Sequence, residues 1–115
     1  MSDERTILDY LEDIANAILD IRSFVHDMSA EGFMADKKTV NAVVRSLEVI
    51  GEATGKIPKD IRMRYPEVPW DEIIGMRNRL IHEYFGVDLD IVWQTIQDDL
   101  VPLKTAISAM LKELS

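Results

Sequence analysis

Arg77, Asn78 and His82 fall within the run MRNRLIHEYF, residues 76–85, and they carry the groups that metal-free phosphodiester cleavage needs. A histidine titrates near neutrality, so it can take the proton of a ribose 2′-hydroxyl or give one to a departing oxygen. An arginine fork grips a phosphate through two parallel hydrogen bonds as charge builds on it. Asparagine beside them can position that phosphate. At about 100° per residue, Asn78 stands one turn before His82 on the same helix face, and His82 lies about 140° round from Arg77. Trp70, Ile73, Ile81 and Tyr84 fall within about 40° of Arg77, so the guanidinium leaves the middle of an apolar stripe. An unpaired guanidinium buried there costs several kcal/mol, so Arg77 must meet a carboxylate, reach a shared interface or line a wet cleft. Glu48 and Glu52, four residues apart on the preceding helix, are the internal carboxylate candidates. A purely structural reading stays open beside the chemical one, with Arg77 in an ion pair and His82 as a cap or a packed ring.

Other chemistries find less to work with. With two histidines, His26 and His82, and no cysteine, a metal site would have to be mostly carboxylate. The acids at 88–90 (DLD) and 98–99 (DD) read instead as a helix cap and solvated surface, so neither metal nor cofactor is expected. Gly51, Gly55 and Gly86 form no phosphate-cradling motif, and Ser46 and His82 lack a recognisable third triad member. Trp70 and Trp93 lie on apolar stripes and read as core or interface residues, not as platforms for stacked bases.

The 115 residues suit a single domain, 1–115, with one modest core. That is short for an enzyme that must also enclose its substrate, and a site shared across a dimer would relieve the limit. Absence of cysteine fits a reducing cytosol. The start, MSDERTILDYLEDIANAILD, is acidic and amphipathic, without the unbroken apolar run of a signal peptide or membrane span. A cytoplasmic chain with no membrane association is expected. The net charge of −8 argues against general nucleic-acid binding, but the charge is uneven. Residues 1–36 and 86–115 are acidic, whereas 37–85 hold nine Lys and Arg against seven Asp and Glu. A phosphate is tolerable in that central segment.

Periodicity predicts an all-α, up-and-down bundle of four main helices plus a short connecting helix. The first runs from Thr6 to about Met28, with Ile7, Leu11, Ile14, Ile18, Ile21 and Val25 inward. SAEGFMAD reads as a break, with Gly32 as a stop and Asp36 as the next N-cap. A second helix, about 37–55, buries Val40, Val43, Val44, Leu47 and Ile50. Pro58 suits the first turn of a short helix, and Pro66 and Pro69 forbid its continuation. Trp70 or Asp71 opens the helix of the catalytic candidates and Gly86 closes it. The last helix, about 88–114, packs through Leu89, Trp93, Ile96, Leu100, Leu103, Ile107, Met110 and Leu114, with a kink at Pro102. Apolar residues on the 70–85 helix, with Val92, Val101 and Leu111, exceed one stripe per helix and predict a two-fold dimer with Arg77 and His82 near its axis.

The run RNRLIHEY resembles the signature of the HEPN superfamily, specifically its HepT-like toxins. The longer block YPEVPWDEIIGMRNRLIHEYFGVDLDIVW, with SLEVIGEA before it and DLVPLK after it, is similar to that family nearly throughout. The likeness covers roughly residues 40–105, and the first helix fits in character. It implies a HEPN-like fold and a homodimer whose two motifs face a common cleft. It also implies metal-independent endoribonuclease activity on RNA, with Arg77 and His82 as the catalytic pair and Asn78 as the polar residue that follows the Arg. A nucleotidyltransferase antitoxin of MNT type is the implied partner, silencing the toxin by adding AMP to Tyr84. The contrasting reading is a non-catalytic helical dimer that binds the nucleotidyltransferase and a nucleotide.

Overall fold

The computed structural model describes residues 5–82 and 88–114, without the side chains of Arg77, Arg79, Ile81 and His82. Among these residues the secondary structure is entirely helical. The order is α1 (Ile7–Phe24), α2 (Ala30–Ala35), α3 (Lys37–Gly55), α4 (Lys59–Arg62), α5 (Trp70–His82), α6 (Leu89–Asp98) and α7 (Leu100–Leu114). The all-α class expected from periodicity is therefore observed, and it fits the HEPN-like fold that the resemblance implies. No helix among the described residues is long and apolar enough to cross a membrane.

Local chemistry sets the helix starts. Thr6 and Asp9 form a reciprocal box at the head of α1: the Thr6 amide donates to Asp9 Oδ2 at 2.9 Å and the Asp9 amide donates to Thr6 Oγ1 at 3.2 Å. Asp36 caps α3 as expected, accepting from the Thr39 amide at 3.2 Å and the Thr39 hydroxyl at 2.9 Å. The Thr39 amide and hydroxyl hold the Asp36 carboxyl below its usual range. Pro58 stands just before α4, at its N-cap, and Trp70 opens α5.

Three boundaries differ from the expectation. α1 stops at Phe24, four residues early, because the chain turns through Asp27, whose φ of 60° lies in the left-handed region. SAEGFMAD is no break. Ser29 caps a six-residue helix there by accepting from the Gly32 amide at 3.0 Å, so Gly32 sits inside α2 and does not stop a helix. The expected last helix is two, α6 and α7, parted at Asp99. Pro102 has no N–H to offer the carbonyl of Asp98, so the ladder lapses there; in the first turn of a new helix the missing donor costs nothing.

α3 is the central helix. α1 and α5 pack most extensively on it, α7 packs on α1 and α6, and α2 bridges α3 and α6. Leu11, Ile14, Ile18 and Ile21 of α1 meet Val43, Val44, Leu47 and Ile50 of α3 and Leu103, Ile107 and Met110 of α7 in one core. Phe33 of α2 is fully buried, its ring 5.2 Å from that of Trp93. At the other end Glu113 accepts from Arg64 Nη1 at 2.8 Å and from the Tyr65 hydroxyl at 3.1 Å, tying the α4–α5 connection to α7.

The apolar surface expected to be left over is smaller than the sequence suggests. Trp70, Ile73, Met76 and Leu80 are buried within the chain, Val92 is 2 % exposed and Leu111 is half-buried, while Val101 is 64 % exposed. Val92 lies in α6, which ends at Asp98 before α7 begins, and it turns inward.

Asp99, at the α6–α7 junction, is half-buried, and burial foremost, then the charges of Glu72 and Asp98, push its carboxyl up. A carboxyl that binds its proton more tightly in the folded chain adds stability below the ordinary value of 3.8, and that stability is lost as pH rises through the raised value. Asp99→Asn, permanently neutral, is expected to melt higher than the parent at pH 7, with the difference gone by about pH 3. Thermal melts across that range check it.

Candidate active site

α5 places the catalytic candidates. Its first turn is fixed by the indole N–H of Trp70, which donates to the Tyr65 carbonyl at 3.0 Å, and by the Ile73 amide, which donates to the Pro69 carbonyl at 3.1 Å. Trp70 is thus the buried core residue expected of it. Trp70, Ile73, Met76 and Leu80 are buried along one side of α5, and at 100° per residue backbone position 77 falls on that same arc, between positions 70 and 73. Position 82 falls on the opposite side, in line with positions 74 and 78. Arg77, Asn78 and His82 all lie within α5. Tyr84 and Gly86 lie outside the described residues.

Asn78 is exposed and opens on a groove of about 260 Å³ between α5 and the end of α3, lined by Ile74 and Asn78 on one wall and Gly51, Glu52, Gly55 and Lys56 on the other. Glu52, a candidate partner of Arg77, therefore shares a groove with Asn78. Glu48, one turn earlier on α3, is half-buried and is not among the lining residues. α5 packs extensively on α3, and its residues Ile74 and Asn78 face the last turns of α3.

Lys56, Gly51 and Gly55 were not among the sequence candidates. Their signal was a pair of glycines one helical turn apart just before a lysine. With Gly86 the two glycines form no phosphate-cradling motif, and the pair acquires meaning only when α5 lies alongside. Of the acids weighed as metal ligands, Asp88 caps α6 by accepting from the Asp90 amide at 2.9 Å, and Asp98 accepts from Gln94 Nε2 at 2.8 Å. His26 is exposed at the end of α1, 3.3 Å from Asp27.

Known proteins are similar along nearly the whole chain. The family model described as "Ribonuclease HepT-like" matches residues 14–110. A Thermococcus cleftensis protein named "Probable ribonuclease HepT" is 50 % identical over 101 residues, covering 88 % of this chain and 92 % of its own. A Methanocaldococcus jannaschii protein named as an RNase is 46 % identical over 111 residues, 96 % of both chains. A third, from Caldanaerobacter subterraneus and also named as an RNase, is 42 % identical over 104 residues, 90 % of this chain and 93 % of its own. No solved structure matches the chain.

Proposed function

The chain belongs to the ribonuclease HepT-like family, and from that premise we propose that it is a metal-independent endoribonuclease, the toxin of a HepT/MNT-type toxin–antitoxin pair. The observation that carries the reading is the placement of Arg77, Asn78 and His82 in one helix, with Asn78 at the mouth of a polar groove. In the proposed reaction the 2′-oxygen of a ribose attacks the adjacent phosphorus as the bond to the 5′-oxygen breaks. His82 transfers a proton at the 2′-hydroxyl or at the departing oxygen. Arg77 holds the phosphate as negative charge accumulates on it, and Asn78 orients it. Glu48 or Glu52 is the carboxylate that steadies Arg77. The products are a 2′,3′-cyclic phosphate and a free 5′-hydroxyl.

The active form is a homodimer with the two motifs on one cleft. Burial of the α5 stripe and Val92 within the chain removes part of the apolar argument for it; the support that remains is the family likeness and the exposed Val101. Incubation of the chain, verified by mass to lack AMP, with RNA in excess chelator is expected to give cyclic-phosphate ends, from a species sedimenting as a dimer at micromolar concentration. Intact RNA would overturn the nuclease and favour a non-catalytic partner of the nucleotidyltransferase.

Regulation rests on Tyr84. An AMP attached there adds a phosphodiester charge, offers Arg77 an anion in place of RNA and fills the approach with a nucleotide. Tyr84→Phe is expected to fold and cleave RNA but to gain no AMP when co-expressed with an MNT-type nucleotidyltransferase, and to escape its antitoxin effect. Intact-mass and peptide-mass measurements check this, and AMP mapped to another residue would remove Tyr84 from the mechanism.

A further inference from the structure

The α3–α5 groove has a chemistry of its own. On its α5 wall Ile74 and Asn78 stand one turn apart, and the same line continues after one more turn to position 82. On its α3 wall Gly51 is buried while Gly55 is exposed, and a Cβ built on Gly55 would meet nothing within 4 Å. Lys56 and Glu52 stand exposed at this wall, and neither forms an ion pair or a side-chain hydrogen bond among the described residues. An ammonium with no ion pair among the described residues is notable in a chain of net charge −8.

The mixture selects the ligand. Lys56 attracts a phosphate, but Glu52 one turn away on α3 repels a bare anion. A ribonucleotide satisfies both, with its phosphate on Lys56 and its hydroxyl or amino donors toward Glu52, while Asn78 can donate and accept. We propose that this groove seats the nucleotide of a single RNA strand adjacent to the scissile phosphate, with Lys56 holding its backbone and bare Gly55 leaving room for the sugar. The inference rests on the nuclease reading above and assigns that site its strand-binding track.

The test uses a fluorescent single-stranded oligoribonucleotide and protein carrying His82→Ala, so that the strand survives, alongside cleavage assays on chains with His82 intact. Adding Lys56→Gln is expected to weaken binding about three- to tenfold at low salt and to flatten the plot of log affinity against log salt by about 0.7, the loss of one phosphate contact. Gly55→Leu places a side chain in open space on a helix, so the melting temperature is expected to hold or rise while binding falls more than tenfold. Unchanged affinity and salt slope in both variants would overturn the track even if the parent chain cuts RNA. RNA that is bound but never cut, with both variants weakened, would overturn the nuclease reading and leave the groove standing. No RNA binding by the parent would overturn both.

Discussion

Replacement of His82 by alanine is expected to lower the rate of RNA cleavage at least a hundredfold while leaving the melting temperature near that of the parent. Proton transfer by a positioned side chain contributes about 10²–10⁴ to rate, and His82 is the one histidine of the motif, the residue type whose ordinary pKa lies nearest neutrality. Its backbone position lies away from the buried arc of Trp70, Ile73, Met76 and Leu80, so the replacement is expected to leave that arc packed. Arg77→Lys provides the contrast. A lysine keeps the charge but loses the planar fork, and about 10²–10³ in rate is the expected cost if the fork grips phosphate. Position 77 falls on the buried arc, so an ion pair built into the core would instead show itself as a large drop in melting temperature. Measuring rate and melting together on both variants separates the two roles, and a large loss of stability with activity retained would count against Arg77 as a catalytic residue.

The largest effect on stability is expected at Phe33. Its side chain is fully buried beneath a helix of six residues, too short to persist by its own hydrogen bonds, and it packs on Trp93 of α6. Phe33→Ala removes the anchor of α2 and leaves a cavity against α6; large aromatic truncations of this kind cost about 3–5 kcal/mol. For a chain of this size that lowers the melting temperature by about 12 °C or more. Phe33→Leu, which retains most of the volume, is expected to recover much of the loss. Calorimetry checks the stability, and Trp93 fluorescence reports the local packing.

Phe33 also shows where sequence reasoning runs out. The long helices were legible because a period near 3.6 declares itself over four or five turns, and Leu11, Ile14, Ile18 and Ile21 are buried as that period requires. A six-residue helix offers a turn and a half, too little for a period to emerge, so α2 read as a break and Gly32 as its cause. The division of α6 from α7 was obscured for the opposite reason: Ile96, Leu100, Leu103, Ile107 and Met110 keep one spacing across the interruption and are all buried, so the apolar pattern is blind to a missing backbone donor. At the site, Arg77, Asn78 and His82 could be picked out by residue type and assigned to one helix. The groove could not, because Gly51, Gly55 and Lys56 are ordinary residues near the end of α3 until α5 is laid beside them.

The packing of α7 against α1 has a consequence for how a chain of this kind is made. The helix nearest the amino end is covered by the last one, through Leu103, Ala106, Ile107 and Met110. A nascent chain on the ribosome therefore lacks one wall of its core until α7 has been synthesised and has cleared the exit tunnel. Local pairings such as α1 with α3 and α3 with α5 can form earlier, but cooperative folding waits for the final helix.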